Sequence, residues 1–199
     1  MSALPHAPGP VRGEARRLQV LDAASACFRK HGFHGTSIQR ISQAAGMSAG
    51  HIYHYFGNKE AIVTGIVEQY LHETLELVDR IGEASKSIGI VEAVVAEVAE
   101  AINARRNGLD LEILAEASRN PVIAAEIQRV DKTLRSRMRS LWLQSPALKK
   151  LPRAELDARI TVLSSMFDGL EIRALCDPSM SKASTTEVVQ RVFRMLMNE

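Results

Sequence analysis

The chain has 199 residues, of which 46% are hydrophobic, 5% aromatic and 24% charged, and its net charge is +2. That length can bury a substantial core and fits one large domain, or a small domain joined to a larger one. A composition rich in Ala, Leu, Glu and Arg favours helices over strands. No run is apolar enough to span a bilayer and the N-terminus lacks a signal core, so we expect a cytoplasmic protein without membrane association.

The charge is unevenly distributed along the chain. Residues 1–60 contain seven Lys and Arg against three Asp and Glu, a net +4, together with five of the six histidines. The remaining residues contain 18 basic and 20 acidic side chains, a net −2. A basic N-terminal part joined to a mildly acidic larger part indicates one surface for phosphate groups and a second surface for a different partner.

The N-terminal residues 1–13 contain three prolines and two glycines and few apolar side chains. They are predicted to form a disordered arm. Arg12 and its neighbours Arg16 and Arg17 can reach DNA phosphates from there, although solvation alone explains them more simply. Apolar residues then recur at spacings of three and four over residues 14–31, which predicts a first helix that ends at Gly32.

Two short helices and one long helix are predicted next. Thr36 begins the second helix, with Gln39 completing a capping box three residues later. Gly46 supplies a left-handed turn residue, and Ser48 then caps a short third helix. A fourth helix begins at about Lys59 and is long enough to connect two domains.

Helical periodicity continues to the C-terminus. The remaining predicted helices are a stripe from Val91, residues 109–118, residues 127–141 after the Asn120-Pro121 start signal, residues 156–174, and a last helix capped by Ser184 and Glu187. About nine helices and no convincing strand predict an all-α fold. The predicted division is an arm at 1–13, a small domain at 14–60 and a larger helical domain at 61–199.

The two cysteines, Cys27 and Cys176, lie far apart in sequence, and each falls within a helical apolar pattern. Both are predicted to be buried, reduced thiols that act as small hydrophobic residues. A redox switch has no motif to support it.

A dense signature between Gly32 and Glu60 resembles the tetracycline-repressor (TetR) family of bacterial transcription regulators. The matching features are Gly32-Phe33-His34-Gly35-Thr36, then Ile41 with Ala44-Ala45-Gly46, and finally Ser48-x-Gly50-x-x-Tyr53-His54-Tyr55-Phe56 followed by Lys59-Glu60. The match is strong over residues 14–65, whereas the rest of the chain matches in length, helix count and the phrase Asp168-Gly169-Leu170. The resemblance implies an N-terminal three-helix DNA-binding domain with a helix-turn-helix, and a larger helical ligand-binding and dimerisation domain.

The resemblance assigns the second and third helices to DNA, with the third in the major groove. His51 is the main candidate for direct base readout, because Ala49 and Ile52 are short or apolar. Tyr55 and Phe56 are predicted to point inward as core. The predicted DNA contacts are Thr36, Ser37, Gln39, Arg40, Ser48, Ala49, Gly50, His51, Tyr53, His54 and Lys59.

Polar residues within the apolar helices of the larger domain are candidates for an inducer pocket. The predicted pocket residues are Asn103, Glu112, Glu116, Arg119, Ser164 and Asp168, with walls formed by Met138, Trp142, Met166 and Phe167. Each of these residues is also explained by ordinary packing or surface placement, and an ion pair within one helix turn explains Glu112, Glu116 and Arg119 as well as a ligand would.

The resemblance also implies a mechanism. A homodimer formed through the last two helices presents two recognition helices to a roughly palindromic operator in double-stranded DNA. An unknown small-molecule inducer then releases the repressor, provided that it prefers the arrangement that does not bind DNA.

Three alternative functions differ from this mechanism. The pairs His31-x-x-His34 and His51-x-x-His54 together resemble a four-histidine metal set, but no cysteine or carboxylate completes a usual site, so we expect no metal and no cofactor. Enzymatic activity is not expected, because the sequence contains no nucleophile elbow, phosphate loop or paired-carboxylate motif. A DNA-binding regulator whose second domain senses a protein partner remains open.

Overall fold

The computed structural model describes residues 10–103 and 108–198, with residues 10–12, 98–103, 171 and 198 described by their backbone alone. The described residues form nine α-helices and no strand, which confirms the predicted all-α class. The helices are α1 (Pro10–Gly35), α2 (Ile38–Ala45), α3 (Ala49–Phe56), α4 (Lys59–Ile88), α5 (Ile90–Asn103), α6 (Leu109–Ala117), α7 (Pro121–Trp142), α8 (Arg153–Cys176) and α9 (Lys182–Asn198), with a 3₁₀ turn at Leu148–Lys150. Of the helices in the described ranges, none combines the length and apolar character needed to cross a bilayer.

The chain divides into two compact units. The first unit contains the chain up to Glu68 together with Leu109–Glu126, which brings α6 and the start of α7 to the small N-terminal helices. The second unit contains Gln69–Gly108 and Ile127–Glu199. This division differs from the predicted one, which placed residues 61–68 and 109–126 with the larger part. Long-range packing of α6 on α1 is the reason, and no local periodicity reports it.

Helix α1 differs from its prediction at both ends. Residues 1–9 of the predicted arm lie outside the described residues, but Pro10–Gly13 are helical and not an irregular arm. At the other end, Gly32 adopts φ 70° and ψ 169°, and one further turn follows it to Gly35. Gly32 is therefore a break within the helix, because a positive φ is accessible to glycine without steric cost.

The first unit has its own apolar core. The buried side chains come from four helices and include Leu21 and Phe28 of α1, Ile41 of α2, Ile52 of α3 and Ile62 of α4. Gly65 of α4 permits close packing in this core. A Cβ atom at that position would lie 3.0 Å from Leu21 Cδ2 and 3.1 Å from Phe56 Cε1.

The second unit is built around a core that includes the lone tryptophan. Trp142 is 1% exposed, and its ring meets that of Phe193 edge to face with centroids 6.0 Å apart. Leu156, Ile160 and Leu163 of α8 pack in the same cluster. Polar contacts fix α9 on α5 nearby, because Arg194 pairs with Glu92 at 3.1 Å and Gln190 Nε2 donates to the carbonyl oxygen of Val95.

Two predictions about the C-terminal part are wrong. Helix α9 begins at Lys182, and Ser181 Oγ accepts from the N–H of Ser184, so Ser184 is not its cap. Cys176 is exposed, whereas Cys27 is buried as predicted. Cys176 is the last residue of α8 and does not share the buried positions of Leu156, Ile160 and Leu163, which explains its exposure.

Candidate DNA-recognition site

The turn between α2 and α3 is closed by main-chain hydrogen bonds. Gly46 adopts φ 62° and ψ 32°, and its N–H donates to the carbonyl oxygen of Gln43. The N–H of Met47 donates to the carbonyl oxygen of Ser42 at 3.0 Å. This left-handed helix end is the geometry that glycine favours, and it fixes the angle at which α3 leaves α2. Helix α1 also contacts this turn, because Gln19 Nε2 donates to the carbonyl oxygen of Ala45 at 2.8 Å.

Helix α2 begins one residue later than predicted. Ser37 is its N-cap, and the Ser37 hydroxyl accepts from the N–H of Arg40 at 3.2 Å. The hydroxyl of Thr36 is 2.8 Å from the carbonyl oxygen of Gly32 and 3.2 Å from that of Cys27, to which it donates. Thr36 is 1% exposed, so the predicted capping box is wrong. The DNA contact predicted for Thr36 stays a prediction, and the burial of the side chain leaves the main chain as the group that would make it.

Helix α3 separates an inner face from an outer face. Ile52 and Phe56 are buried, the first at 1% exposure, which confirms the predicted inward position of Phe56. Tyr55 is half-buried, while His51, Tyr53 and His54 are exposed, Tyr53 by 54%. An eight-residue helix with polar and aromatic groups along one outer face is suited to hydrogen bonds and apolar contacts with the groove edges and phosphates of DNA.

The N-terminus of α3 is held by Ser48. The Ser48 hydroxyl accepts from the N–H of His51 and lies 3.3 Å from His51 Nδ1. This contact engages one nitrogen of the imidazole at the first turn, and the His51 side chain is exposed. Ala49 is half-buried and Gly50 is exposed, with Ser48 Oγ as the nearest atom to its would-be side chain at 3.8 Å.

Lys59 serves the small domain's own structure. Its ammonium donates to the carbonyl oxygens of Phe33 at 2.7 Å and Thr36 at 3.0 Å, and it lies 4.0 Å from the centroid of the Phe33 ring. These contacts tie the start of α4 to the connection between α1 and α2. The phosphate contact predicted for Lys59 stays a prediction. Two of the three ammonium N–H groups are engaged in these hydrogen bonds, so a phosphate would bind to the third.

The other predicted DNA contacts in α2 are exposed. Gln39 and Ser37 lie on the surface, and Arg40 Nη1 donates to the carbonyl oxygen of Gly35 at 2.8 Å. That hydrogen bond satisfies a carbonyl at the end of α1 and leaves the outer edge of the guanidinium for a second acceptor.

Three predicted pocket residues lie in the first unit, against the end of α1. Glu112 Oε1 accepts a hydrogen bond from the N–H of Phe33. Glu116 is buried, and its Oε2 is 3.1 Å from His34 Nε2 and 3.3 Å from Arg119 Nη2. Sequence spacing predicted the Glu116–Arg119 pair but gave no signal for the contacts with Phe33 and His34, since the partners are about eighty positions apart.

The remaining predicted pocket residues belong to the second unit. Trp142 lies in its core, and Met138 and Met166 pack against that core. Ser164 and Phe167 are half-buried and Asp168 is exposed. The side chain of Asn103 lies outside the described residues. The assignment of these residues to a ligand stays a prediction.

The candidate four-histidine set consists of His31, His34, His51 and His54. Within the described ranges, no three His, Cys, Asp or Glu side chains converge as metal ligands would. His34 is occupied by Glu116 and His51 by Ser48.

A tight glycine turn between two short helices, with the second helix presenting an exposed polar face, defines a helix-turn-helix protein of the DNA-binding class. The family model for bacterial regulatory proteins of the tetR family matches residues 20–66, and the model for the C-terminal part of BetI-type transcriptional repressors matches residues 89–197. The chain belongs to the TetR family of transcriptional regulators.

Curated relatives agree with this assignment. The transcriptional regulator UidR of Escherichia coli K12 is 34% identical over 122 residues, which cover 59% of this chain and 60% of UidR. The transcriptional repressor AcnR of Corynebacterium glutamicum is 32% identical over 76 residues, which cover 38% of this chain and 40% of AcnR. The matched segment therefore spans less than two thirds of the length of these relatives.

Solved structures share the fold over nearly the whole chain. GusR of Salmonella enterica superposes with a TM-score of 0.74 at 22% identity, covering 96% of this chain and 97% of GusR. The regulator FadR of Bacillus subtilis, solved in complex with stearoyl-CoA, gives a TM-score of 0.73 at 17% identity and covers 88% of this chain and 96% of FadR.

Proposed function

We propose that the protein is a repressor that binds a roughly palindromic operator through α3 and is released by a small-molecule inducer. The observation that carries the proposal is the division of α3 into a buried face, with Ile52 and Phe56, and an exposed face, with His51, Tyr53 and His54. The inner face fixes the helix to the small domain, and the outer face is free to enter a major groove.

The proposed operator can be found by selecting genomic DNA fragments with the purified protein. A gel-shift titration of a selected fragment then tests the assignment of α3. His51→Ala and Tyr53→Ala are expected to weaken binding by roughly 1–3 kcal/mol each if they contact base edges. His72→Ala is a matched control, since His72 is an exposed histidine of α4 in the second unit. Wild-type affinity in both α3 variants contradicts the proposal.

We further propose that α8 and α9 form the homodimer interface. Along α8, Ala158, Val162, Ser165, Gly169, Ile172 and Cys176 recur at spacings of four and three, and we call this row the α8 stripe. Val162 is 54% and Ile172 44% exposed, and the space at Gly169 is open. Small and apolar residues on an exposed helix face favour packing against a second helix. A two-fold dimer would place two recognition helices about 34 Å apart, one turn of B-DNA.

Sedimentation of the purified protein tests the dimer. Val162→Glu is expected to produce a monomer, because a charge at the centre of the α8 stripe must be buried on association. Leu143→Glu is the control, since Leu143 is an exposed apolar residue outside the α8 stripe. A Val162→Glu variant that still sediments as a dimer excludes the stripe as the interface.

The inducer is proposed to bind in the second unit. Trp142 is the lone tryptophan of the chain and packs on Phe193. A ligand that contacts Trp142 changes the surroundings of the indole ring and therefore the tryptophan emission. A ligand screen that reads this emission and DNA release together tests the proposal. Release by a protein partner, with no small molecule changing either signal, favours the alternative in which the second unit senses a protein.

A further inference from the structure

Three basic side chains lie where α1 ends and α2 begins, and only Arg40 belongs to the predicted DNA contacts. Lys30, His31 and Arg40 are all exposed. Lys30 precedes His31 at the end of α1, and Arg40 Nη1 donates to the carbonyl oxygen of Gly35 at 2.8 Å. A Cβ atom at Gly35 would lie 3.6 Å from the Cβ of His31. His31 and Arg40 therefore flank the same exposed glycine, and we call Lys30, His31 and Arg40 the basic corner.

The basic corner is not neutralised by neighbouring carboxylates. The acidic side chains that α6 directs at this end of α1 are Glu112 and Glu116. The first binds the N–H of Phe33, and the second pairs with His34 and Arg119. No carboxylate among the described residues forms an ion pair with the three cations of the corner. The pKa of His31 is held below its ordinary 6.5 by desolvation and then by the charges of Arg40 and Lys30.

Building on the proposed operator binding, we propose that the basic corner binds phosphate groups of the DNA backbone beside the bases that α3 reads, with His31 taking up a proton on binding. A phosphodiester anion is the chemistry that fits. The charges of Lys30 and Arg40 attract it, their ammonium and guanidinium groups donate to its oxygens as positioning contacts, and His31 becomes a third cation once it is protonated. The exposed glycine leaves room for a backbone to approach.

Protonation of His31 gives the contact a distinct signature. In the free protein, the two neighbouring cations favour neutral imidazole. A bound phosphate favours imidazolium, so it raises the pKa of His31 in the complex. Between the two pKa values, DNA binding takes up a proton, and the affinity falls as the pH rises. Positive side chains also stabilise the C-terminal end of a helix, but that effect acts on the free protein and leaves the DNA affinity unchanged.

Fluorescence anisotropy with a wild-type-selected DNA fragment, measured from pH 6 to 8 and over a salt series, tests the proposal. Lys30→Gln is expected to reduce the slope of log affinity against log salt by about one unit. His31→Gln is expected to flatten the pH dependence. The controls, Lys149→Gln and His72→Gln, remove exposed residues of the second unit and leave both quantities at wild-type values.

Thermal melting of each free variant separates binding from folding. The melting temperatures of Lys30→Gln and His31→Gln are expected to fall by no more than about 2–4 °C, the shift caused by losing a helix-end charge worth about 1 kcal/mol. If both variants keep the wild-type salt slope and the wild-type pH dependence, the proposed phosphate contact of the basic corner is wrong, and the proposed function still stands. If the wild type selects no DNA at all, the proposed function fails first and the basic corner fails with it.

Discussion

Glu112 Oε1 accepts a hydrogen bond from the main-chain N–H of Phe33, a residue 79 positions earlier in the chain. The contact has a local cause. Gly32 breaks α1 with φ 70°, so the N–H of Phe33 begins a new turn without an acceptor inside the helix. The carboxylate of α6 supplies that acceptor, and Glu116 adds a second contact through His34.

Removal of the Glu112 carboxylate is expected to destabilise the protein. Glu112→Ala leaves the N–H of Phe33 without its acceptor, and a hydrogen bond to a charged group contributes about 1.5–3 kcal/mol. Urea unfolding measures the change. Glu187→Ala, an exposed acid of α9, is the control and is expected to stay within roughly 0.5 kcal/mol of the wild type. Equal stability of the two variants contradicts this role of Glu112.

Neighbouring residues of α3 are expected to separate stability from binding. Ile52→Ala removes a fully buried side chain and is expected to lower the free energy of unfolding by about 2–5 kcal/mol. Tyr53→Ala removes an exposed side chain, so its stability should change by no more than roughly 0.5 kcal/mol while operator affinity falls. Urea unfolding and gel shift on both variants check the pair. A large stability loss in Tyr53→Ala would place that ring in the core.

Lys59→Met separates two roles of one ammonium. Because Lys59 donates to the carbonyl oxygens of Phe33 and Thr36, we expect the substitution to lower stability by about 1–3 kcal/mol. A phosphate contact instead predicts a salt slope reduced by about one unit. Unfolding and salt-dependent binding on the same variant give both quantities. Unchanged stability with a reduced slope shows that the lysine serves DNA and not the connection between α1 and α2.

Two glycines of α4 are expected to respond oppositely to alanine. Gly65→Ala places a Cβ 3.0 Å from Leu21 Cδ2, and such overpacking destabilises by about 1–3 kcal/mol. At Gly82 the nearest atom, Leu141 Cδ1, is 3.6 Å away, an ordinary contact. Gly82→Ala should therefore gain up to about 1 kcal/mol from helix propensity. Thermal unfolding of both variants tests the comparison, and a stabilised Gly65→Ala variant contradicts it.

The Glu92–Arg194 pair predicts a pH-dependent effect in the second unit. The hydrogen bond from Arg194 holds the pKa of Glu92 below its ordinary 4.5. The folded state therefore binds this proton less readily than the unfolded state. The contribution to stability is full above 4.5 and is lost as the pH falls through the lowered value. Both groups are exposed, so the contribution is small. Urea unfolding of wild type and Glu92→Gln should differ more at neutral pH than at about pH 3.

The sequence predicted the helices and the helix-turn-helix because both depend on local patterns. The apolar spacing, Gly46 and the Asn120-Pro121 start each act within a few residues, and Asn120 Oδ1 does accept from the N–H of Val122 at 3.1 Å. The predicted start of α2 is one residue too early, because the Thr36 hydroxyl donates to carbonyl oxygens of α1, including that of Cys27 nine positions earlier. A capping pattern in the sequence does not indicate whether carbonyl oxygens of another turn compete for the same hydroxyl.

Long-range contacts account for the larger differences. Glu112 and Glu116 carry the spacing of a surface ion pair or of a pocket wall, and nothing in α6 indicates that their partners are Phe33 and His34. Lys59 was assigned to DNA by its place in the family signature, while its carbonyl partners lie more than twenty positions earlier. Tertiary packing decides which of several chemically reasonable partners a charged side chain meets.

The unequal exposure of the two cysteines offers a practical route to the assembly of the protein. Cys27 is buried and Cys176 is exposed at the end of the α8 stripe, so a thiol-reactive dye will attach at one native position without mutagenesis. If association along α8 covers Cys176, the rate of dye labelling falls as the protein concentration rises. The native Cys176 thiol is therefore a labelling site for a spectroscopic probe at the surface that the protein is proposed to share with a second copy.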